Sequence, residues 1–298
     1  MKINISYILI AIATLSSSLF AQDESDFIFF ESRLQTLANK ILTETNDSLK
    51  DEANKLLIED IEELLLMKGS FHYAFENVDK ISIINSPDNK FKLFNWVVPK
   101  ANNEFEYFAY LQFYTRRRKE QYYIRLNDVS SFIEDEQFKV FTNGDWFGAL
   151  YSDIIHTKFE KKNIYTLIGW DGNNNSTTKR IVEILFFDEE DDDQPIFGAP
   201  IVKMNDGTRN RMILEYSKKV STNLSYDKDK EYIVFDHLEP LEGGELGMYE
   251  YYVPSLSYDG LTFKNGKWRL VEDIAIFNSK KQDGRQAKNI QKGLQETR

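Results

Sequence analysis

A chain of 298 residues without a single cysteine excludes disulfides, thiolate catalysis and thiolate metal sites. Its 37 basic residues are outnumbered by 48 acidic ones, which gives a net charge of −11. Such a surface repels nucleic acid and anionic lipid, because both are bound by clustered Lys and Arg, so we expect no nucleic-acid partner.

The first 21 residues have the pattern of a cleavable secretory signal. Lys2 supplies a positive start, residues 5–20 carry no charge, and Ala21 offers a small residue at the cut. The apolar run is shorter than the roughly 20 residues that a membrane-spanning helix needs. We therefore expect cleavage near Ala21, export of a soluble chain, and no transmembrane segment after cleavage; an uncleaved anchor is the alternative.

Residues 22–75 are predicted to form two antiparallel helices. Apolar residues recur at spacings of three and four in two stretches, which places each set on one helical face. These sets are Phe30, Leu34, Leu37 and Ile41, and then Ala53, Leu57, Ile61 and Leu64. Ser48 followed by Asp51 resembles a capping box, so the second helix is predicted to open there, after a joint near Asn46, and to stop near Gly69. Both stripes are expected to be buried on the domain that follows.

From residue 76 to residue 278 the pattern changes to short strands separated by turn residues. Apolar residues alternate with polar ones, as in Tyr107, Ala109 and Leu111, so one face of such a strand lies on a core. The predicted strands lie at 91–98, 105–113, 122–126, 147–156, 163–170, 179–187, 197–204, 210–217, 222–226, 231–236 and 249–258. A brief helix, with Ser131 and Glu134 as its capping pair, is predicted at 130–138.

Most connections between these strands are too short for a helical crossover. We therefore predict a mainly β fold, in which one antiparallel domain of meanders and hairpins follows the N-terminal helical pair. A sandwich, a barrel and a propeller-like arrangement all fit this pattern. Residues 279–298 carry six basic and two acidic residues, and we expect a polar basic tail, either mobile or a frayed helix.

Two hairpins can be predicted with their turns. Asn265-Gly266 is a strong two-residue turn signal, because both positions tolerate positive φ. It places Phe263 opposite Trp268 and Leu261 opposite Leu270 on one apolar face, and Thr262 opposite Arg269 and Lys264 opposite Lys267 on a wet face. Residues 227–230 are expected to close the second hairpin, between 224–226 and 231–236.

No residue pattern identifies a catalytic centre. His72, His156 and His237 lack metal-ligand spacing, and His237 is not expected to cooperate with Asp236, because neighbours on a strand point to opposite faces. The chain has no serine elbow and no phosphate loop. With 48 acidic residues in the chain, the sequence does not single out a carboxylate pair for glycoside hydrolysis. We name no catalytic residue and lean towards a non-enzymatic protein.

Two loops are weak candidates for a calcium site. Residues 171–175 begin like a calcium-binding loop, with an aspartate followed by alternating asparagines, but the glycine and glutamate that complete such a loop are missing. Residues 188–193 are six consecutive carboxylates, which can hold a hard cation or form a solvated loop. The candidate ligands are Asp171, Asn173, Asn175, Asp191 and Asp193. No other cofactor is predicted.

With these segments laid out, the chain resembles a group of uncharacterised exported proteins of Bacteroidota, a gram-negative phylum. The resemblance covers roughly residues 80–278 and rests on residues 165–174 (YTLIGWDGNN), 196–201 (IFGAPI), 211–217 (RMILEYS) and 232–238 (YIVFDHL), together with the signal ending LFAQ. It implies an exported origin, in the periplasm, at the cell surface or outside the cell. It implies no activity and no catalytic residue.

Two functions from different classes fit the sequence. The first is an exported non-enzymatic binding or envelope-assembly protein, whose partner is an envelope protein or a glycan. The alternative is a secreted hydrolase that acts on glycans or peptides through carboxylates that the sequence does not identify. Trp96, Trp146, Trp170 and Trp268 would serve a glycan site only if several were exposed together, and we expect them in the core instead.

Overall fold

The computed structural model describes residues 25–115, 120–188 and 193–275. The predicted signal, the predicted tail and Asp191 lie outside these ranges. The described part of the protein is mostly β, with 47% of its residues in strands, antiparallel sheets and two N-terminal helices. This confirms the predicted fold class, although one pair of strands is parallel.

The two helices are close to the predicted positions. Helix α1 covers residues 25–43 and helix α2 covers Asp47–Leu66. The predicted capping box is wrong: the N-cap of α2 is Asn46, whose side chain accepts hydrogen bonds from the backbone N–H groups of Ser48 and Leu49. Asn46 is the cap because it lies directly before the first helical residue. Its extended backbone there lets its side-chain oxygen reach the free N–H groups of the first turn.

The described residues form fifteen strands. They are β1 (Ser82–Asn85), β2 (Phe91–Pro99), β3 (Phe105–Thr115), β4 (Glu120–Leu126), β5 (Leu150–Phe159), β6 (Lys162–Asp171), β7 (Thr177–Asp188), β8 (Gln194–Phe197), β9 (Val202–Met204), β10 (Gly207–Arg209), β11 (Met212–Ser217), β12 (Leu224–Asp227), β13 (Tyr232–Pro240), β14 (Tyr252–Lys264) and β15 (Lys267–Val271).

These strands build three sheets. The first sheet has the order β1-β2-β3-β4. The middle sheet has the order β11-β7-β6-β5, and β8 also pairs with β7. The third sheet has the order β10-β9-β15-β14-β13-β12, in which β9 and β15 are the parallel pair.

The helices and sheets stack as four layers with three apolar cores between them. The helical stripes, including Leu57 and Ile61, pack on Phe94 and Trp96 of the first sheet. The alternate residues of the first sheet face the middle sheet, and the other face of the middle sheet meets the third sheet. Strand alternation therefore gives the first and middle sheets two buried faces each, which explains their apolar sequences.

Several predicted elements differ from the structure; the strand predicted at 147–156, for example, is β5 at Leu150–Phe159. The brief helix at 130–138 is instead two separate 3-10 turns, Ser130–Phe132 and Glu136–Phe138, neither with a side-chain cap. The predicted strand at 197–204 is divided between β8 and β9, because Gly198 turns the chain at φ 98°. Strand β14 starts three residues later than predicted and continues to the turn at Asn265.

Both predicted hairpins are confirmed. Strands β14 and β15 pair in the expected register, with Phe263 opposite Trp268 and Lys264 opposite Lys267. Asn265 and Gly266 have φ values of 52° and 73°, as their turn requires. Strands β12 and β13 form the second hairpin.

A buried ion pair braces the middle sheet. Glu183 on β7 accepts a hydrogen bond of 2.7 Å from the guanidinium of Arg211, and neither side chain is exposed. The guanidinium also donates to the carbonyl oxygens of Glu136, Lys139 and Phe197, which belong to other segments. One charged residue thereby connects the edge of the sheet to the chain around residues 136–141.

Candidate interaction surface

The hairpin of β13 and β14 continues beyond the rest of the third sheet. Strand β12 pairs with β13 only as far as Phe235, and β15 pairs with β14 only from Gly260. Beyond these points the two strands pair only with each other, from Leu238 opposite Pro254 to Pro240 opposite Tyr252. We call residues 238–258 the hairpin tip. Among the described residues, no further strand pairs with this ribbon, although its 3-10 turn at Tyr249–Tyr251 and strand β14 contact strand β11 of the middle sheet.

The turn of the hairpin tip is closed by backbone hydrogen bonds. The N–H of Leu241 donates to the carbonyl of Tyr251 at 2.9 Å, and the N–H of Gly244 donates back to the carbonyl of Leu241 at 2.9 Å. Gly243 and Gly247 have φ values of 91° and 90°, a conformation that side-chain-bearing residues rarely adopt. The loop therefore has a defined shape and presents its side chains outward.

Seven large apolar or aromatic residues of the hairpin tip are exposed. Leu246 keeps 96% of its surface accessible, and Leu256 is fully exposed. The seven residues are Leu241, Leu246, Met248, Tyr249, Tyr251, Leu256 and Tyr258. Single exposed apolar residues are ordinary, but seven within 18 consecutive residues of one hairpin are typical of a contact surface.

The charges of the hairpin tip all have one sign. Its acidic residues are Glu239, Glu242, Glu245 and Glu250, and no lysine or arginine occurs between residues 238 and 258. The surface thus combines apolar groups with carboxylates. It is complementary to a partner that presents an apolar patch bordered by basic residues.

The sequence did not predict the hairpin tip. The strands predicted at 231–236 and 249–258 left its loop unassigned. Leu241, Leu246 and Met248 lie among glycines and glutamates, without helical or strand periodicity, so no element was assigned to them. Three large apolar residues in a glycine-rich, acidic loop are the signal that could have identified it.

A histidine pairs with an aspartate at the base of the hairpin tip. Nδ1 of His237 lies 2.7 Å from Asp259 on β14, and Nε2 lies 3.9 Å from Glu239. The hydrogen bond to Asp259 raises the pKa of His237 above its ordinary value. Asp236 bonds elsewhere, to the hydroxyl of Thr222 and the N–H of Asn223, as expected for a neighbour on the opposite face.

The other two histidines lie apart from this pair. His72 contacts the rings of Phe71 and Tyr114. His156 stacks on Tyr165, and its Nε2 lies 3.0 Å from the side-chain oxygen of Asn163. His72 is exposed beside aromatic rings, whereas His156 lies between a polar and an aromatic neighbour.

The first candidate calcium loop is tied into a hydrogen-bond network. Oδ1 of Asp171 accepts from the Tyr107 hydroxyl at 2.8 Å and from the N–H of Asn173 at 2.8 Å. Burial raises the pKa of Asp171. The amide of Asn173 donates to Thr177, while the side-chain oxygen of Asn175 accepts from Asn103. The three candidate ligands therefore point to three different sets of partners.

Asp193 is the described candidate in the second calcium loop. Its carboxylate lies 2.7 Å from the ammonium of Lys90, and it accepts a bond of 3.3 Å from the Tyr122 hydroxyl. Within residues 25–115, 120–188 and 193–275, no group of three or more His, Asp or Glu side chains is arranged to hold a metal ion.

A small cleft next to the hairpin tip contains two carboxylates. It has a volume of about 230 Å³, and its walls include Glu136, Phe138, Glu215 and Tyr249. Glu136 accepts from the ammonium of Lys179 at 2.9 Å, and Glu215 accepts from the Thr177 hydroxyl at 2.6 Å. Both carboxylates are thus held by groups of the middle sheet.

Three of the four tryptophans are core residues, as expected. Trp96, Trp146 and Trp268 are buried. Trp170 is partly buried, with its ring edge-on to Phe105 at 5.5 Å. They do not form an exposed sugar-binding platform.

No protein-family model, no curated protein and no solved structure matches this chain. Among the described residues, no helix combines the length and the hydropathy that crossing a membrane requires. The arrangement of this chain's own residues is therefore the basis for a functional proposal.

Proposed function

We propose that this chain is an exported, non-enzymatic binding or assembly protein of the cell envelope, and that it holds a partner protein through the hairpin tip. The observation that carries the proposal is the set of seven exposed large apolar residues on one hairpin, whose two strands pair only with each other there. Each square ångström of apolar surface left in water costs about 25 cal/mol compared with burial, so covering this surface favours association.

The chemistry of the hairpin tip favours a protein partner over a membrane. Four glutamates and no basic residue would be repelled by anionic headgroups. Exposed tyrosines, such as Tyr249 and Tyr251, combine a flat apolar ring with a hydroxyl, and such residues are enriched at the centres of protein interfaces. The partner that fits is a protein with an apolar patch and a basic rim.

The proposed location rests on the N-terminal sequence and on the resemblance to exported proteins of Bacteroidota. The charged start, the uncharged stretch and the small residue at Ala21 support export to the periplasm or the cell surface. Amino-terminal sequencing of the protein from fractionated cells tests this. A mature chain that starts near Gln22 in the envelope supports it, and an intact Met1 in the cytoplasm contradicts it.

Photocrosslinking and a pull-down test the role of the hairpin tip. Tagged wild-type protein and the Leu246→Ser/Leu256→Ser variant are purified from the native cell envelope, and the bound proteins are quantified by mass spectrometry. Leu42→Ser/Leu66→Ser is the matched control, since it removes two exposed leucines from the helices. A partner that wild type and control retain, and that the hairpin variant loses at least tenfold, supports the proposal. Equal recovery by all three proteins contradicts it.

The crosslinking arm places a photoreactive residue at position 246 or at position 66. A protein partner of the hairpin tip should crosslink from position 246 only. Crosslinking to lipid alone would contradict the proposal.

A further inference from the structure

The middle sheet opens into a fork at one end. Strands β6 and β7 pair from Asp171 opposite Lys179 only as far as Tyr165 opposite Leu185. Beyond that point β6 pairs with β5, and β7 pairs with β8. Residues 162–164 and 186–188 therefore belong to two hairpins that diverge from each other.

A cleft of about 690 Å³ lies between these two hairpins. Its lining includes Ile184, which belongs to the core facing the third sheet, and Phe187, which packs on the core facing the first sheet. Because residues from both faces of the middle sheet line it, the cleft runs between the strands rather than over one face. Its volume is in the range of ligand-binding clefts.

The walls of the cleft offer backbone groups as well as apolar side chains. In a strand, the N–H and C=O groups point towards both neighbouring strands, so β6 at residues 162–164 and β7 at residues 186–187 direct some of these groups into the cleft. Ile164 and Phe186 supply partly exposed apolar surface between them. At about 3.3 Å per residue, each open edge is long enough for about three residues of an added strand.

The mouth of the cleft has two ammonium groups available for an anion. Lys161 and Lys162 line it, and within the described ranges neither has an ion-pair partner, whereas Lys90 is paired with Asp193. The turn between β5 and β6 positions both lysines. Glu160 and Lys161 have φ values of 49° and 69°, and the ring of Phe159 packs against the turn at Gly266.

We propose that this cleft binds an extended peptide segment, which inserts between β6 and β7 as an added strand, with alternating apolar side chains and an acidic residue beside Lys161 and Lys162. Two open strand edges favour a peptide over a lipid or a small aromatic molecule, because only a peptide backbone satisfies the donors and acceptors of both edges. The site is separate from the hairpin tip and does not depend on its role.

A designed peptide tests the proposal directly. The probe is the fluorescein-labelled, end-capped peptide EVTVTVE, whose acidic residues at both ends allow either strand direction. Its control has the same sequence with N-methyl groups on the three valines, which removes donors but keeps the side chains. Fluorescence anisotropy should show binding of the first peptide at least tenfold tighter than the second. Equal binding of the two peptides, or no binding of either at millimolar protein, would overturn the proposal.

Two variants locate the binding. Lys161→Glu/Lys162→Glu should weaken the peptide at least fivefold, while Lys55→Glu/Lys228→Glu, which makes the same charge change on exposed residues elsewhere, should not. Phe186→Ser should also weaken it, and circular dichroism identifies any variant that fails to fold. The hairpin variant Leu246→Ser/Leu256→Ser should bind the peptide as tightly as wild type. Equal loss in both lysine variants would place the peptide outside the cleft.

Discussion

At the scale of single residues, Arg211 connects more of the molecule than any other charged side chain described above. Its guanidinium satisfies Glu183 and three backbone carbonyls. The space around it is closed, since a Cβ at Gly198 would lie 2.8 Å from the guanidinium.

Removing this guanidinium should strongly destabilise the fold. Arg211→Met leaves a buried carboxylate without its counter-charge, so we expect the free energy of unfolding to fall by about 3–5 kcal/mol. Urea denaturation followed by tryptophan fluorescence measures the loss. Arg209→Met is the matched control, because Arg209 pairs with an exposed aspartate, and it should cost at most about 1 kcal/mol. A similar small cost for both variants would refute the bracing role.

His237 should make stability depend on pH. Its pKa is raised in the folded protein by the hydrogen bond to Asp259, relative to about 6.5 in an unfolded chain. Its contribution to stability is therefore fully present below pH 6.5, and is lost as the pH rises through the folded pKa. Proton NMR titration of the imidazole should show a pKa above 6.5 for His237, which Asp259→Asn lowers. An unchanged titration curve in that variant would exclude Asp259 as the cause.

At the scale of elements, the sequence predicts what local chemistry determines. The hairpin at Asn265 could be predicted with its register, because two residues define the turn and the turn defines the pairing. The helices could be predicted from their stripes. The division between β8 and β9 could not be predicted, because it depends on Gly198 turning beside Arg211, a contact that forms only in the folded chain.

The candidate surfaces were missed for the same physical reason. The hairpin tip is apolar without periodicity, and only the end of β12 and the start of the β15 pairing show that no third strand pairs with it among the described residues. The pairing of His237 with Asp259 depends on a register across a long loop, interrupted by a bulge next to Asp236. The parallel contact of β9 with β15 joins residues more than 60 positions apart.

The cap of helix α2 provides an element-scale test. Asn46→Ala removes the side-chain acceptor of two backbone N–H groups and should cost about 1 kcal/mol of stability. Ser48→Ala lies inside the helix, where alanine is the better helix former, and should be neutral or slightly stabilising. Thermal denaturation of the two variants measures the difference. If Ser48→Ala lowered the melting midpoint more than Asn46→Ala did, the helix would be capped by Ser48 instead.

At the scale of the whole molecule, the helical pair and the sheets are joined through their cores. Helix residues such as Leu57 and Ile61 share one core with Phe94, Trp96 and Tyr110 of the first sheet. The opposite face of that sheet shares a second core with the middle sheet, and the middle sheet shares a third with the last. The apolar face of each layer is buried only by the layer next to it, so the stability of each layer depends on its neighbour.

This arrangement predicts that the helical pair is required for the β layers. A fragment of residues 76–275 would expose the helix-facing side of the first sheet, and each large apolar side chain uncovered costs about 1.5–3 kcal/mol. We expect this fragment to bind a hydrophobic dye and to lack a cooperative unfolding transition, whereas residues 22–275 unfold in a single step in calorimetry. The contrary result would be that residues 22–275 unfold in two separate steps and that the fragment of residues 76–275 retains one of these steps unchanged. The sheets would then be stable without their helical layer.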